Sequence, residues 1–146
     1  MKGYLLDTNL VVALLWTSHE KHDVAKKWFL RRRRSGWATC PITESGFVRI
    51  VSNPAFSRDA VSPREAASVL AANTASEDHV FWEDSLPFHQ AIAFSGARLV
   101  GHQQVTDSYL LGLAQKRGGI LATLDSRIGA LIEPHSAVRK ALEIVS

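Results

Sequence analysis

Four acidic residues stand where short apolar runs end or helices begin. Asp7 follows Gly3-Tyr-Leu-Leu, Glu44 follows Thr43, Asp107 follows Thr106, and Asp125 follows Ile120-Leu-Ala-Thr-Leu. Carboxylates brought together from separate elements repel one another unless a divalent cation lies among them. A hard all-oxygen set with no Cys or paired His suits Mg²⁺ or Mn²⁺ rather than zinc. Such a centre supports hydrolysis of a phosphodiester. The cation activates and orients a water and offsets charge developing on the phosphate and leaving oxygen, and one carboxylate can take the water's proton.

Each acid also has a plainer reading. Asp7 and Asp125 can be helix caps, and Asp107 can serve the dipole of the helix that Thr106 would cap. Glu44 has the weakest plain reading. On a helix it shares a face with Phe47, Val48 and Val51, where an unpaired carboxylate needs a cation, a hydrogen-bond network or a helix-end position near solvent.

The elements that must position these residues alternate along the chain. Strands are expected at Gly3 to Asp7, Gly36 to Cys40, Val80 to Trp82 and Ile120 to Leu124. Helices are expected from Asn9 to Trp16, His19 to about Arg34 with Thr17 or Ser18 as cap, and Ile42 to Ser52 with Asn53-Pro54 as the stop. Further helices run from Ser62-Pro63 to about Ala72, Pro87 to Phe94, Thr106 to Arg117 ended by Gly118-Gly119, and Ser126 to about Leu131. The tail from Leu142 to Val145 reads as helix end or edge strand, with strand favoured. Short apolar strands separated by helices predict a three-layer α/β/α sandwich around a mainly parallel sheet. Acids at the carboxyl ends of its strands then converge on one crevice.

At 146 residues and 46% hydrophobic, with no repeat or linker, residues 1–146 are expected to form one domain. The lone Cys40 excludes an internal disulfide framework, and Asp7-Thr8-Asn9 interrupts the apolar N-terminal stretch. Neither a signal sequence nor a membrane span is expected, and the cytoplasm is the simplest address. Net charge is only +3, but Lys26, Lys27 and Arg31, Arg32, Arg33 and Arg34 concentrate positive charge. That block suits either a solvated helix end or contact with phosphates or an acidic partner.

In order and context, Asp7-Thr8-Asn9, Thr43-Glu44, Thr106-Asp107 and Thr123-Leu124-Asp125 resemble the four-acid pattern of PIN-domain nucleases. Spacing and length come nearest to the VapC toxins of bacterial toxin–antitoxin pairs, and the resemblance covers nearly the whole chain. It implies an Mg²⁺- or Mn²⁺-dependent endoribonuclease with Asp7, Glu44, Asp107 and Asp125 as its acidic pocket, Asp7 and Asp107 foremost as ligands. It also implies that Thr8, Asn9 and Thr123 orient the pocket, that RNA is the substrate, and that the chain forms a homodimer occluded by a VapB-type antitoxin.

Other chemistries fit less well. His19 and His22 lack further zinc ligands at suitable spacing, and His102 reads as a loop residue. Trp28 and Trp82 suit core packing better than base stacking, and Cys40 reads as a buried small hydrophobe. No dinucleotide or triphosphate loop is present. A phospho-acceptor module would need a Lys after a late strand, and Ile120 to Arg127 contains none. A PIN nuclease of RNA processing, or a non-catalytic RNA- or partner-binding protein of the same fold, is the remaining alternative.

Overall fold

The computed structural model describes residues 3–95 and 98–146. Five strands, β1 (Tyr4–Leu6), β2 (Trp37–Thr39), β3 (His79–Phe81), β4 (Ile120–Thr123) and β5 (Leu142–Ile144), form one sheet in the order β3-β2-β1-β4-β5. Every pairing is parallel, so the expected mainly parallel sheet is parallel throughout. The tail is the edge strand β5.

Helices α1 (Thr8–Leu15), α2 (His22–Arg32), α3 (Pro41–Val51) and α4 (Pro63–Thr74) surround one core, built with Leu6, Trp37, Ala122 and Val145. On the other face α6 (Val105–Lys116) packs with Leu5, Ala38 and Leu121, covered in turn by α5 (Phe88–Ser95). Alternating strand residues thus enter opposite cores, which is the three-layer arrangement expected from buried parallel strands.

Helix α6 is buried from Ser108 through Ala114 because it lies between the sheet and α5. Gly112 permits that: a Cβ there would stand 2.1 Å from the Ala91 carbonyl oxygen of α5. The helix ends at Gly118, whose φ of 66° is left-handed. Gly118 N–H donates to Gln115 O (3.1 Å) and Gly119 N–H to Ala114 O (2.9 Å), the paired closure that glycine permits after a helix.

Several boundaries differ from the sequence reading. Helix α2 starts at His22 rather than His19, after turns at residues 17–21, and neither Thr17 nor Ser18 caps it. His19 Nδ1 instead accepts Lys21 N–H (3.0 Å), a local bond that competes with helix initiation. Thr106 does not cap α6. A 3₁₀ turn at His102–Gln104 precedes the helix, the Gln104 side chain accepts the N–H groups of Val100 and Gly101, and Thr106 falls inside the first helical turn. The turn after Asp125 is 3₁₀ (Ser126–Leu131), and a further 3₁₀ segment, Ala137–Ala141, precedes β5 where the sequence reading placed no element. Strand β3 is displaced by one residue, leaving Trp82 just beyond it but buried as a core residue.

Among the described residues, no helix is long and apolar enough to cross a membrane.

Candidate active site

From β1 the chain crosses to β2 on one side, while β4 lies on the other, so the order of strands reverses at the β1–β4 pair. Crevices in open parallel sheets form outside the carboxyl ends of strands at such a reversal. Asp7 follows β1 at that point. Its Oδ1 accepts Thr8 N–H (2.8 Å), capping α1, and its Oδ2 accepts the Thr123 hydroxyl (2.7 Å) from the end of β4.

Asn9 closes the network. Its Nδ2 donates to Thr123 Oγ1 (3.2 Å) and more distantly to Asp7 Oδ2 (3.4 Å), while its Oδ1 accepts Leu124 N–H (3.1 Å). Thr123 Oγ1 also accepts Asp125 N–H (3.1 Å), so one hydroxyl ties the carboxyl ends of both strands together. Thr8 contributes its N–H and its packing. A Cβ on Gly46 of α3 would come within 2.7 Å of the Thr8 side chain, so α1 and α3 meet closely beside Asp7.

Asp125 caps the 3₁₀ turn that follows it, accepting Arg127 N–H (2.9 Å), and takes two further bonds from the Arg127 guanidinium (3.0 and 2.9 Å). Asp107 enters from the first turn of α6 and lines a cavity with Gln103, Gln104, Asp125 and Arg127. The cavity has a volume of about 210 Å³.

Burial raises the Asp7 carboxyl above its ordinary range against the Thr123 and Thr8 hydrogen bonds, with the charge of Asp125 adding to the rise. Burial, then the charges of Asp7 and Asp125, push Asp107 up to about 6. Asp125 is lowered, chiefly by the Arg127 hydrogen bonds. The three aspartates therefore share one electrostatic environment, in which Arg127 offsets part of the charge.

Glu44 is placed differently. Its Oε2 accepts the hydroxyl of Thr39 (2.6 Å), which also meets His79 Nε2 (2.8 Å), and Glu44 is not among the charges acting on the three aspartates. Among the described residues, no group of three or more His, Cys, Asp or Glu side chains is close enough to hold a metal ion as the side chains stand. The carboxylate oxygens of Asp7, Asp107 and Asp125, which act on one another electrostatically, are donors of the hard type that a divalent cation takes.

The arginine block lies elsewhere. Arg33 and Arg34 precede β2 at the amino end of the sheet, opposite the crevice. Arg33 pairs with Asp78 (2.7 Å) and stacks on Phe29, and Arg32 pairs with Glu143 (3.4 Å) and lies over Tyr4. Arg31 and Arg34 are exposed.

His22 Nδ1 meets Ala13 O (2.9 Å), Trp28 donates to Glu143, and the buried Cys40 thiol is pushed up to about 11 by burial, unlike a nucleophile. Sequence reasoning missed Arg127, Gln103 and Gln104 in the cavity, and Thr39 and His79 beside Glu44. Arg127, two residues after Asp125 and able to bond back to it, carried a local signal, whereas His79 is joined to Thr39 only by pairing of β2 with β3.

The match to the PIN domain spans residues 4–133 and includes all four acids. The chain belongs to the PIN-domain family. This PIN domain is 40% identical over 124 residues to ribonuclease VapC39 of Mycobacterium tuberculosis, covering 85% of the chain and 89% of that relative. Its fold is similar to that of VapC20 from M. tuberculosis, described as a Sarcin-Ricin loop cleaving toxin. The TM-score is 0.65 at 15% identity, over 90% of this chain and 98% of that one. It is also similar to VapBC2 from Rickettsia felis bound to a promoter DNA fragment, with a TM-score of 0.62 at 14% identity over 99% of each chain.

Proposed function

We propose that this PIN domain is an endoribonuclease dependent on Mg²⁺ or Mn²⁺ and acts as the toxin of a toxin–antitoxin pair that blocks translation. The observation that carries the reading is the electrostatic coupling of Asp7, Asp107 and Asp125 near the carboxyl ends of β1 and β4, with Asp7 and Asp107 raised first by burial and then by neighbouring carboxylate charge. Similarity to proteins named ribonuclease VapC supports RNA as the substrate class, and the named VapBC assemblies support a VapB-type antitoxin that occludes the crevice.

Asp7, Asp107 and Asp125 would hold the cation, with Glu44 approaching from α3. A bound divalent cation supplies Lewis acidity, making a water a better nucleophile and offsetting charge on the phosphate. Within the chain, Thr123 and Asn9 fix the Asp7 carboxylate, the start of α6 directs N–H dipoles toward the anionic crevice, and an ionised carboxylate can accept the water's proton. Exposed Arg31 and Arg34 are available to a distant stretch of RNA or to an acidic antitoxin segment. Exposed Val80, Phe81, Phe88 and Phe94 along β3 and α5 support self-association into a homodimer.

Purified protein free of antitoxin is expected to cut total cellular RNA, structured species included, with Mg²⁺ or Mn²⁺ and to stop in EDTA. Cleavage unaffected by EDTA would remove the metal-dependent reading.

An anionic crevice repels an anionic substrate, and Arg127 is the cation lining it. Its side chain is 88% exposed and therefore free to exchange Asp125 for a phosphate at little cost. Arg127→Ala is expected to raise KM for RNA and reduce the salt dependence of RNA binding, lowering the log–log slope by about 0.7 for a single strand. An unchanged slope in a salt titration would show that Arg127 does not meet phosphate.

A further inference from the structure

The cavity beside Asp107 and Asp125 is lined by apolar as well as polar groups. Ile128 and Leu131, both almost fully buried, face it together with Gln103 and Gln104. Its volume of about 210 Å³ exceeds the ~150 Å³ that suffices for a benzene ring, so one flat ring system fits. Apolar lining beside hydrogen-bonding groups suits a nucleobase, which offers a flat face and a polar edge once it is unstacked.

The two carboxamides differ in how they are held. Gln104 Oε1 accepts the N–H groups of Val100 (2.8 Å) and Gly101 (3.1 Å), which occupies both of its lone pairs and fixes which way the amide faces. The polar atom of that side chain left for a ligand is Nε2, which can donate and cannot accept. Gln103 is exposed and has no such anchor among the described residues, so its amide turns either way and selects nothing.

Asp107 lies three residues after Gln104, at the spacing that puts two side chains on one helical face, and it brings an acceptor to the same cavity. A donor beside an acceptor complements a keto oxygen beside an imino N–H. Guanine carries that pair at O6 and N1, and uracil at O4 and N3. Adenine and cytosine carry the inverse, an amino group beside an unprotonated ring nitrogen, which would set N–H against N–H and a carboxylate against a lone pair.

We propose that this cavity seats the RNA base next to the scissile phosphate and that Gln104 makes it select guanine or uracil over adenine or cytosine. The inference rests on RNA as the proposed substrate and adds a specificity-determining residue to that site, with Arg127 left to the phosphate.

The test is binding of the four uncharged nucleosides to the RNA-free protein in EDTA at pH 7.5, followed by ligand-observed NMR, beside mapping of the bases that flank the cuts in total cellular RNA. Guanosine and uridine are expected to bind about 2–10-fold tighter than adenosine and cytidine, the worth of one net hydrogen bond, and guanine or uracil to be enriched at one flank of the cuts. Gln104→Glu keeps an oxygen for Val100 and Gly101 but replaces the donor with an acceptor, so it is expected to abolish or reverse the ranking. Gln103→Glu adds the same charge to the same cavity and is expected to preserve it. Equal binding of all four nucleosides by the parent protein overturns the inference, and that comparison needs no variant to fold. A parental ranking in Gln104→Glu overturns it as well. The expected ranking in a protein that cuts no RNA with any metal would remove the nuclease reading and leave the base subsite, whereas cutting without base preference, together with equal nucleoside binding, would remove the subsite alone.

Discussion

Asp107→Asn is expected to lose RNA cleavage by about 10³-fold or more, and Asp7→Asn similarly, because each removes a ligand charge worth several kcal/mol to a cation-assisted transition state. Neither should unfold the protein. Asn at position 7 keeps an oxygen for Thr8 N–H, and Thr123 can turn its proton toward Asn9 Oδ1, 3.4 Å away.

For Asp107→Asn the stability effect runs opposite to the activity effect. The folded carboxyl titrates near 6 against an ordinary 3.8, so between these values the folded chain binds more protons than the unfolded one. Wild-type stability therefore falls as pH rises through that window, and the deficit persists above it. A neutral amide escapes this. In EDTA the Tm of Asp107→Asn is expected to match wild type near pH 3.5 and exceed it increasingly from about pH 4 to 6, with the gap retained at pH 7.5. Melting curves across pH, with single-turnover cleavage beside them, check both halves. Cleavage retained in both purified Asn variants would sink the candidate site, and a constant Tm gap would show that Asp107 is not raised.

Gly112→Ala is expected to do the reverse, lowering stability through packing alone. Helix propensity favours Ala over Gly by about 0.8–1.0 kcal/mol. The new Cβ, however, would meet the Ala91 carbonyl oxygen at 2.1 Å and its carbon at 2.8 Å, both backbone atoms of α5. Backbone cannot rotate aside as a side chain does, so α5 must shift, at a net cost of about 1–3 kcal/mol or a Tm lower by about 3–12 °C. A Tm at or above wild type would show that the α5–α6 contact yields freely. Because α6 also carries Asp107, the variant serves as a control for indirect loss of activity.

The alternation of short apolar runs with helices was enough to read the layered parallel fold, since strands buried on both faces leave that pattern. It was also enough to read the positions of Asp7, Asp107 and Asp125 relative to their elements. What was read less well depended on local competition. His19 bonding to Lys21 delayed α2, Gln104 rather than Thr106 organised the start of α6, and both are side-chain choices between nearby partners that periodicity does not register.

Spacing placed Glu44 on the first turn of α3, but its carboxylate is held by Thr39, which in turn meets His79, 35 positions beyond Glu44. The basic block likewise looked like a single feature. Folding sends Arg32 to Glu143 and Arg33 to Asp78, at the sheet end opposite the acids, because β2 begins where that block stops.

The sequence alone therefore determined which residue types stand at strand ends and helix starts, because apolar periodicity and capping chemistry are local. Only the tertiary structure decided which acids share one environment, which cation faces them and how Glu44 is turned. Those follow from strand order and from contacts between residues distant in the chain, where packing and charge select the partners.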